Sequence, residues 1–315
     1  MFPENYNLSS EIDFCLRCGH TFQDFLKSGK IGCGQCFESF RSALIPYKKI
    51  EFKYQKKRLK NFAKNRKSFF QEIQDRIPIA GRKIFQAAID SVFSDERQGV
   101  PEIEKKIFRN FPDSRISFRY RVARNLSGVI YPTSRLVVGD SRASNVKAEI
   151  FKTLHLPVLG GGATIGNPVR PTENSNLVFF DEDHVRFEIY SRRDKFYEYL
   201  EEFSSTLTRL NSKEIFDFHP RAGFIAACPT NTGRGNKLSV YLDFQNFNSS
   251  DEILIGRIIG DTFDYSMDFF LGKDGKNRRI RLYLYKKNIR EDQIQLFYEF
   301  VYFLLQIDQN RKILK

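Results

Sequence analysis

The spacing of hydrophobic and polar residues changes along this chain. Beyond residue 113, some stretches alternate apolar and polar residues as β-strands do, and others repeat apolar residues at helical spacing. The predicted strands are RISFRYRVAR (115–124), NLVFFDEDHVRFEIYS (176–191), RAGFIAACP (221–229), KLSVYLDFQ (237–245) and RRIRLYLYKK (278–287). The predicted helices are 142–154, 194–210 and 291–310. Because strands follow one another with few helices between them, we expect an α+β fold, an antiparallel sheet flanked by helices.

The segment before this domain has a helical pattern and a strong charge. Between residues 48 and 67 there are ten Lys or Arg and one acidic residue, Glu51. A shorter helical stretch over 78–112 is interrupted by RQGVPE, whose Gly and Pro disfavour a continuous helix. We therefore predict a cysteine-rich module over 1–46, a basic helical connector over 47–112 and a catalytic domain of mixed α and β structure over 113–315.

Composition narrows the class of protein. The 315 residues carry a formal charge of +13, which indicates an anionic partner such as nucleic acid, nucleotide phosphates or an acidic protein face. The start of the chain lacks the pattern of a signal peptide. The longest apolar run, FVYFLL at 300–305, is far shorter than a membrane span. The sequence therefore predicts a soluble, cytoplasmic protein without a membrane partner.

Four of the five cysteines form a C-x2-C-x14-C-x2-C pattern, CLRC followed by CGQC. Two such pairs complete a tetrahedral thiolate shell, so Cys15, Cys18, Cys33 and Cys36 are predicted to bind a structural Zn²⁺. Unrelated buried thiols are the alternative. A zinc knuckle beside a basic helix also allows nucleic-acid binding, whereas a solvated helix face or a docking surface for an acidic partner would explain the same charge.

Two further stretches place charged residues at regular spacing. Arg119 and Arg121 lie two apart in SFRYRVARN and share a face on a strand, which suits either a phosphate clamp or an ordinary surface strand. In FFDEDHVRF, Glu182 and Arg186 would also share a face if the strand is regular. A structural ion pair explains them most simply, and a carboxylate metal site is another option. We expect His184 to be packed rather than to act as a base.

The fifth cysteine, Cys228, begins the turn-rich stretch CPTNTGRG. A nucleophilic thiol would need a histidine partner, and His155, His184 and His219 stand in no recognisable dyad motif. A buried cysteine at the end of a strand is the simple alternative.

These same stretches carry a family resemblance. CPTNTGRG resembles the C-P-[TS]-N-x-G-x-G signature of the ATP:guanidino phosphotransferases, SFRYRVARN resembles their S-S-R-[IV]-R-x-A-R-N, and FFDEDHVRF resembles their N-E-E-D-H-x-R. The three motifs stand in the family's order, over roughly residues 110–310. The sequence between them is most similar to the bacterial protein-arginine kinases. Independently, CLRCGHTFQDFLKSGKIGCGQCFESF resembles a zinc module of the activator that partners those kinases.

The resemblance implies roles for individual residues on the acceptor side. Glu182 matches the catalytic glutamate, which orients the guanidino nitrogens and accepts a proton. Cys228 matches the substrate-binding cysteine, whose thiolate would pair with the substrate cation. Asp181 stands where the family has a glutamate, and the resemblance implies that it is catalytic together with Glu182 and Cys228.

On the nucleotide side, the resemblance implies that Arg119, Arg121 and Arg186 surround the phosphates of ATP, with Mg²⁺ bound to the nucleotide. The chain departs from the family at two further arginine positions. Lys237 replaces one of them and loses the bidentate fork. In GRIIGD, Gly256 occupies the other family arginine position, and Arg257 is the next residue. A shift of one residue along a strand would turn the side chain of Arg257 to the opposite face. We also expect GGGATIG (160–166) to be a mobile loop rather than a nucleotide motif.

The function implied is transfer of the ATP γ-phosphoryl group to arginines of proteins, in protein quality control. Implied partners are proteins with exposed arginines and an AAA+ protease system. A catalytically weak pseudokinase that acts as an adaptor is the alternative, motivated by Lys237 and Gly256. A zinc-containing nucleic-acid-binding protein ranks third.

Overall fold

The computed structural model describes most of the predicted elements. The described residues are 14–41, 79–94, 98–111, 115–131, 168–169, 173–179, 181–211, 215–247, 266–271 and 280–311, with positions 44, 67, 70, 71, 74 and 256. Nearly all of the basic run at 48–67, the predicted helix at 142–154, His155, the loop 160–166, Arg257 and Asp261 lie outside them.

Six helices lie within the described ranges: α1 Phe22–Ser28, α2 Gly34–Ser39, α3 Ile79–Val92, α4 Val100–Asn110, α5 Phe196–Leu210 and α6 Glu291–Arg311. The helices predicted at 194–210 and 291–310 are confirmed by α5 and α6. The interrupted helical stretch at 78–112 is confirmed by α3 and α4, with Pro101 in the first turn of α4, where its missing N–H costs nothing.

The strands are β1 Ile116–Arg124, β2 Pro168–Val169, β3 Ser175–Phe179, β4 Val185–Ser191, β5 Phe218–His219, β6 Gly223–Phe224, β7 Asn236–Asp243, β8 Ser266–Leu271 and β9 Ile280–Lys287. Strands β5 and β6 pair as a small hairpin, and the others form one sheet in the order β2-β3-β4-β1-β7-β9-β8. The β2–β3, β7–β9 and β8–β9 pairs are antiparallel. The predicted α+β class with an antiparallel sheet and helices is therefore confirmed.

Two strand predictions need correction, and strand β8 was not predicted. The stretch 176–191 forms two strands, β3 and β4, because Asp181 to His184 form a bend between them. The stretch 221–229 forms only the two-residue β6 and then a loop. The sequence analysis missed β8, whose SMDFFL segment is a short apolar run without clear alternation.

The chain divides into two compact units. Unit 1 comprises Met1–Phe52, Val122–Phe187 and Thr206–Gly235, and unit 2 comprises Lys53–Arg121, Glu188–Ser205 and Asn236–Lys315. The domain boundaries expected at 46/47 and 112/113 stay a prediction.

Unit 1 has a core that joins the cysteine-rich module to later segments of the chain. The four clustered cysteines and the module's Phe22, Phe25, Phe37 and Phe40 are buried with Tyr131, Ala222, Ile225 and Ala227. Within this unit the module therefore shares its hydrophobic core with the loop that leads to Cys228.

Unit 2 has a core of aromatic side chains around α6. The ring of Phe118 on β1 stacks on Tyr298 and Phe196, with centroids 4.8 and 5.4 Å away. Near the end of α6, the buried carboxylate of Asp308 accepts a hydrogen bond from Arg115 at 2.5 Å. Stacking and a satisfied buried charge fix the helix against this part of the sheet.

Candidate functional site

The four clustered cysteines form a metal-binding group. All four are buried, and their sulfur atoms lie within 4.8 Å of one another. The distances are 3.7 Å for Cys15–Cys33, 3.3 Å for Cys18–Cys36 and 3.9 Å for Cys33–Cys36. Tetrahedral thiolates around Zn²⁺ are about 3.8 Å apart, given a Zn–S bond of about 2.3 Å. The donor set therefore fits a structural Zn²⁺.

The electrostatics of this group favour a cation. Hydrogen bonds from the thiols of Cys33 and Cys36 lower the pKa of Cys18 to about 2, while the Cys18–Cys33 interaction raises the pKa of Cys33 to about 12. Without a positive ion, one thiolate thus suppresses ionisation of its neighbour. His20 is not needed as a ligand, and its Nε2 donates to the carbonyl oxygen of Lys30 at 2.8 Å.

Backbone hydrogen bonds dock the module within unit 1. The amide of Ile31 donates to Ala227 O, and the amide of Tyr131 donates to Gly32 O, both at 2.8 Å. Tyr131 also donates its hydroxyl to Asp217 at 2.7 Å. A Cβ at Gly34 would lie 2.6 Å from the Asp217 carboxylate, so α2 approaches this residue closely enough to require glycine.

A histidine completes the docking. His219 Nδ1 accepts hydrogen bonds from the amides of Arg221 and Ala222, so Nε2 carries the proton and donates to Glu38 at 2.8 Å. The ring of Phe37 lies 5.4 Å from that of His219. Both ends of α2 are thus held against later segments of unit 1.

The peptide at Ala227 is the point where three segments of unit 1 meet. Its N–H donates to the buried carboxylate of Asp183 at 2.8 Å, and its carbonyl accepts from Ile31. Asn125 donates to the same Asp183 oxygen at 2.7 Å. Because Glu182 precedes Asp183 and Cys228 follows Ala227, each of these two predicted acceptor residues is the sequence neighbour of a residue in this hydrogen bond.

The loop after Cys228 is held in shape by hydrogen bonds and glycines. Pro229–Asn231 form a 3₁₀ turn, and Thr232 accepts from the amide of Ala226 at 3.1 Å. Gly235 has φ +63°, and a Cβ there would meet Arg124 and the Ala123 carbonyl at 2.6 and 2.8 Å. The half-buried Cys228 has its sulfur 3.0 Å from Thr230 Oγ1.

The acidic cluster differs from the expected arrangement. Glu182 and Arg186 do not share a strand face, because Glu182 lies in the bend before β4. Arg186 instead forms an ion pair with Asp181. Glu182 pairs with Lys30 of the cysteine-rich module, at 2.9 Å. The expectation of a Glu182–Arg186 pair was wrong because the continuous strand it assumed is broken.

His184 is a packed histidine, as expected. It is buried, its Nδ1 accepts from the amide of Leu126 at 3.1 Å, and its Nε2 therefore donates to Ile130 O at 2.9 Å. Both ring nitrogens are committed to the backbone. The structure thus gives Cys228 no base from this histidine, nor from His219, whose partner is Glu38.

Unit 2 gathers three of the predicted nucleotide-binding cations. Arg119 and Arg121 lie on the half-buried face of β1, and Arg119 forms an ion pair with Glu188. Burial, with the charges of Arg121 and Arg119, lowers the pKa of Lys237 on β7 to about 8. Its ammonium lies 4.7 Å from the ring centre of Tyr285. The charges of Arg121 and Arg119 thus act on Lys237, and cations grouped in this way suit a polyanion.

Sequence reasoning missed Lys30, Asp183 and Asp217 as parts of the site. Asp183 stands inside a quoted motif, so its position was a usable signal. Lys30 and Asp217 carry no local signal, because their partners are distant in sequence. The remaining predicted site residue, Arg257, lies outside the described residues.

Comparison with known families agrees with this geometry. Residues 13–51 match the McsA central zinc-finger domain, and residues 167–259 match the C-terminal catalytic domain of the ATP:guanido phosphotransferases. The chain thus contains a segment similar to the catalytic domain of the guanidino phosphotransferases. In the same polypeptide it also contains a segment similar to the McsA zinc finger.

Individual relatives cover parts of the chain. The protein-arginine kinase activator protein of Bacillus subtilis (strain 168) is 42% identical over 41 residues, 13% of this chain and 22% of that relative. The protein-arginine kinase of Halothermothrix orenii is 25% identical over 165 residues, 44% of this chain and 47% of that relative. The chain therefore covers less than half the length of either.

Solved structures of guanidino kinases are also similar. The substrate-free duplicated taurocyamine kinase from Schistosoma mansoni has 15% identity and a TM-score of 0.43, over 68% of this chain and 35% of that one. A lombricine kinase has 14% identity and a TM-score of 0.40, over 65% and 67%. Within the described ranges, none of the helices has the length and apolar character that crossing a membrane requires.

Proposed function

We propose that this protein transfers the γ-phosphoryl group of ATP to arginine side chains of proteins. The observation that carries the proposal is the hydrogen bond from the Ala227 amide to Asp183, whose sequence neighbours are Cys228 and Glu182. A carboxylate and a sulfur are the groups that would hold a guanidinium cation.

The chemistry assigned to the acceptor side is simple. A guanidinium nitrogen attacks the γ-phosphorus, the N–P bond forms, and the bond to the leaving ADP oxygen breaks. The proton lost by the attacking nitrogen passes to Glu182, which is partly exposed and within reach of a substrate. Cys228, as a thiolate, would pair with the remaining charge of the guanidinium.

The nucleotide side relies on fixed positive charge. By the sequence resemblance, the residues that would bind the phosphates are Arg119, Arg121, Arg186, Lys237 and Arg257. Phosphoryl transfer needs alignment and charge neutralisation more than covalent help, and Mg²⁺ on the nucleotide supplies part of the latter. Burial and, after it, repulsion from Arg121 and Arg119 lower the pKa of Lys237, and a bound polyanion would offset that repulsion, which supports this assignment.

Protein arginines are the proposed acceptors. The supporting observation is that the relatives are named a protein-arginine kinase and the activator of such a kinase. A cytoplasmic role in protein quality control beside an AAA+ protease belongs to the same proposal and rests on the sequence resemblance.

The test is an assay for acid-labile phosphate on an arginine-rich protein incubated with Mg-ATP. The wild type should form it, and Glu182→Gln should lower the rate by roughly 100-fold or more, because the proton acceptor is lost. Glu198→Gln, at an exposed position of α5, is the matched control and should keep the wild-type rate. Equal rates for Glu182→Gln and wild type would refute the assigned role.

A weakly active adaptor is the second candidate. It is favoured by Lys237 at a family arginine position and by the carboxylate partners of Arg119 and Arg186. Tight binding of Mg-ATP without any phosphorylated product would support it over the kinase.

A further inference from the structure

The ion pair between Lys30 and Glu182 joins the zinc-finger segment to the proposed acceptor site. The Lys30 ammonium lies 2.9 Å from Glu182 Oε1, and both residues belong to unit 1. We propose that Lys30 is a built-in competitor of the substrate, holding the carboxylate that would bind the acceptor guanidinium. This inference rests on the proposed function of Glu182.

The backbone around Lys30 is held on both sides. Its carbonyl accepts a hydrogen bond from His20 at 2.8 Å, and its amide donates to Ser28 Oγ at 3.1 Å. The next residue, Ile31, donates its amide to Ala227. Lys30 therefore precedes a residue that is hydrogen-bonded to Ala227, and its side chain reaches the Glu182 carboxylate from a backbone held by these bonds.

The turn that delivers Lys30 is built for this position. Helix α1 ends at Gly29, which adopts φ 68°, a left-handed conformation suited to glycine. Lys30 then lies between the two cysteine pairs of the metal-binding group. The module thus presents a cation to Glu182 as a consequence of its own fold.

The pair has the properties of a competitor that can be displaced. The side chain of Lys30 is 37% exposed and that of Glu182 is 29% exposed, so water screens the attraction between them. Pairs of this kind are weak, which limits the competition to about fivefold in affinity. An ammonium is a single point charge, whereas a guanidinium binds a carboxylate through two parallel hydrogen bonds. An arginine substrate can therefore replace Lys30, at a raised KM.

The experiment compares Lys30→Met with Lys27→Met, an exposed lysine in the last turn of α1. Methionine keeps the length of the side chain and removes the charge, and the backbone hydrogen bonds of residue 30 remain. For Lys30→Met we expect the KM for the arginine acceptor to fall about two- to fivefold, with kcat unchanged. Lys30→Arg should raise the KM above the wild-type value, because its guanidinium can bind the carboxylate through two hydrogen bonds. Lys27→Met should change neither constant.

A second measurement separates this inference from the proposed function. Free arginine is titrated into each protein without nucleotide by calorimetry, and Lys30→Met should bind it two- to fivefold more tightly than wild type. If no variant makes phosphoarginine, the proposed function fails, while the titration still decides the competition. Unchanged KM and affinity in Lys30→Met, a fall in kcat, or no arginine binding by any variant would overturn the inference.

Discussion

At the residue scale, the charge state of Lys237 should control the proposed binding of the ATP phosphates. Burial, followed by repulsion from Arg121 and Arg119, lowers its pKa to about 8, so the ammonium form is lost as the pH rises through that value. Only this form attracts phosphate. Mg-ATP affinity should therefore fall by up to about tenfold between pH 7 and pH 9, in line with the charged fraction.

The change Lys237→Arg tests this explanation, since a guanidinium stays charged at both pH values. Calorimetric titration with Mg-ATP should show a flat pH response for Lys237→Arg and the wild-type response for Lys105→Arg, an exposed position on α4. The same loss of affinity in wild type and Lys237→Arg would show that another group titrates.

The sequence could predict the residues of a site when those residues are close together in the chain, and it could not predict partners that are distant in the chain. The cysteine ligands were predictable because their spacing alone defines two chelating turns. The motif positions of Glu182 and Cys228 pointed to one site, and the residues next to them, Asp183 and Ala227, are joined by a hydrogen bond. The partner of Glu182 was not predictable, since nothing near Lys30 distinguishes it from other lysines.

Helix α4 carries a buried carboxylate, that of Glu104, whose protonation makes the stability of the folded state depend on pH. Glu104 accepts hydrogen bonds from the Tyr298 hydroxyl at 2.9 Å and from the Tyr197 amide at 3.1 Å. Burial outweighs these bonds and raises the pKa of Glu104 to about 7. The folded state thus binds more protons than the unfolded state between about pH 4.5 and pH 7, and stability is lost as the pH rises across that window.

The substitution Glu104→Gln should remove this dependence. We expect the free energy of unfolding of wild type to fall relative to Glu104→Gln by on the order of 3 kcal/mol from pH 4.5 to pH 8. Denaturant titrations at both pH values measure it, and Glu102→Gln on the exposed side of α4 is the control. Parallel pH responses of wild type and Glu104→Gln would contradict the assignment.

At the element scale, regular periodicity was sufficient to predict strands, but the points at which strands are interrupted were not predicted. The alternation in β7 and β9 predicted both strands, which pair with Tyr241 opposite Tyr283. The prediction of a single strand over 176–191 was wrong because the polar groups of Asp183 and His184 form hydrogen bonds with other segments. Long-range hydrogen bonds of this kind leave no period in the sequence.

For the whole molecule, zinc should control the docking of the module within unit 1. Chelation of the metal leaves four buried thiols that repel as they ionise, so the module should open. The Ile31 and Tyr131 amides, which form the docking hydrogen bonds, should then exchange with deuterium at least about tenfold faster.

Hydrogen exchange with and without chelator measures this effect, and the Tyr197 amide of unit 2, bonded to Glu104, serves as the internal reference. Equal protection of Ile31 and Tyr131 in both states would mean that docking does not depend on the metal.

Whole-chain organisation was the part least accessible from the sequence. Composition and motif order separated a cysteine-rich module from a kinase-like domain. In the structure, that module lies with Val122–Phe187 and Thr206–Gly235 in one compact unit. Sequence proximity did not indicate this, because the joining contacts run between residues such as Ile31 and Ala227.

The most direct test of the central claim is mass spectrometry of an arginine-rich protein after incubation with Mg-ATP. Wild type should add phosphate to arginine side chains, whereas Glu182→Gln and Cys228→Ala should leave them almost unmodified. Phosphate found only on Ser, Thr or Tyr, or equal arginine phosphorylation by all three proteins, would contradict a guanidinium held between this carboxylate and this sulfur.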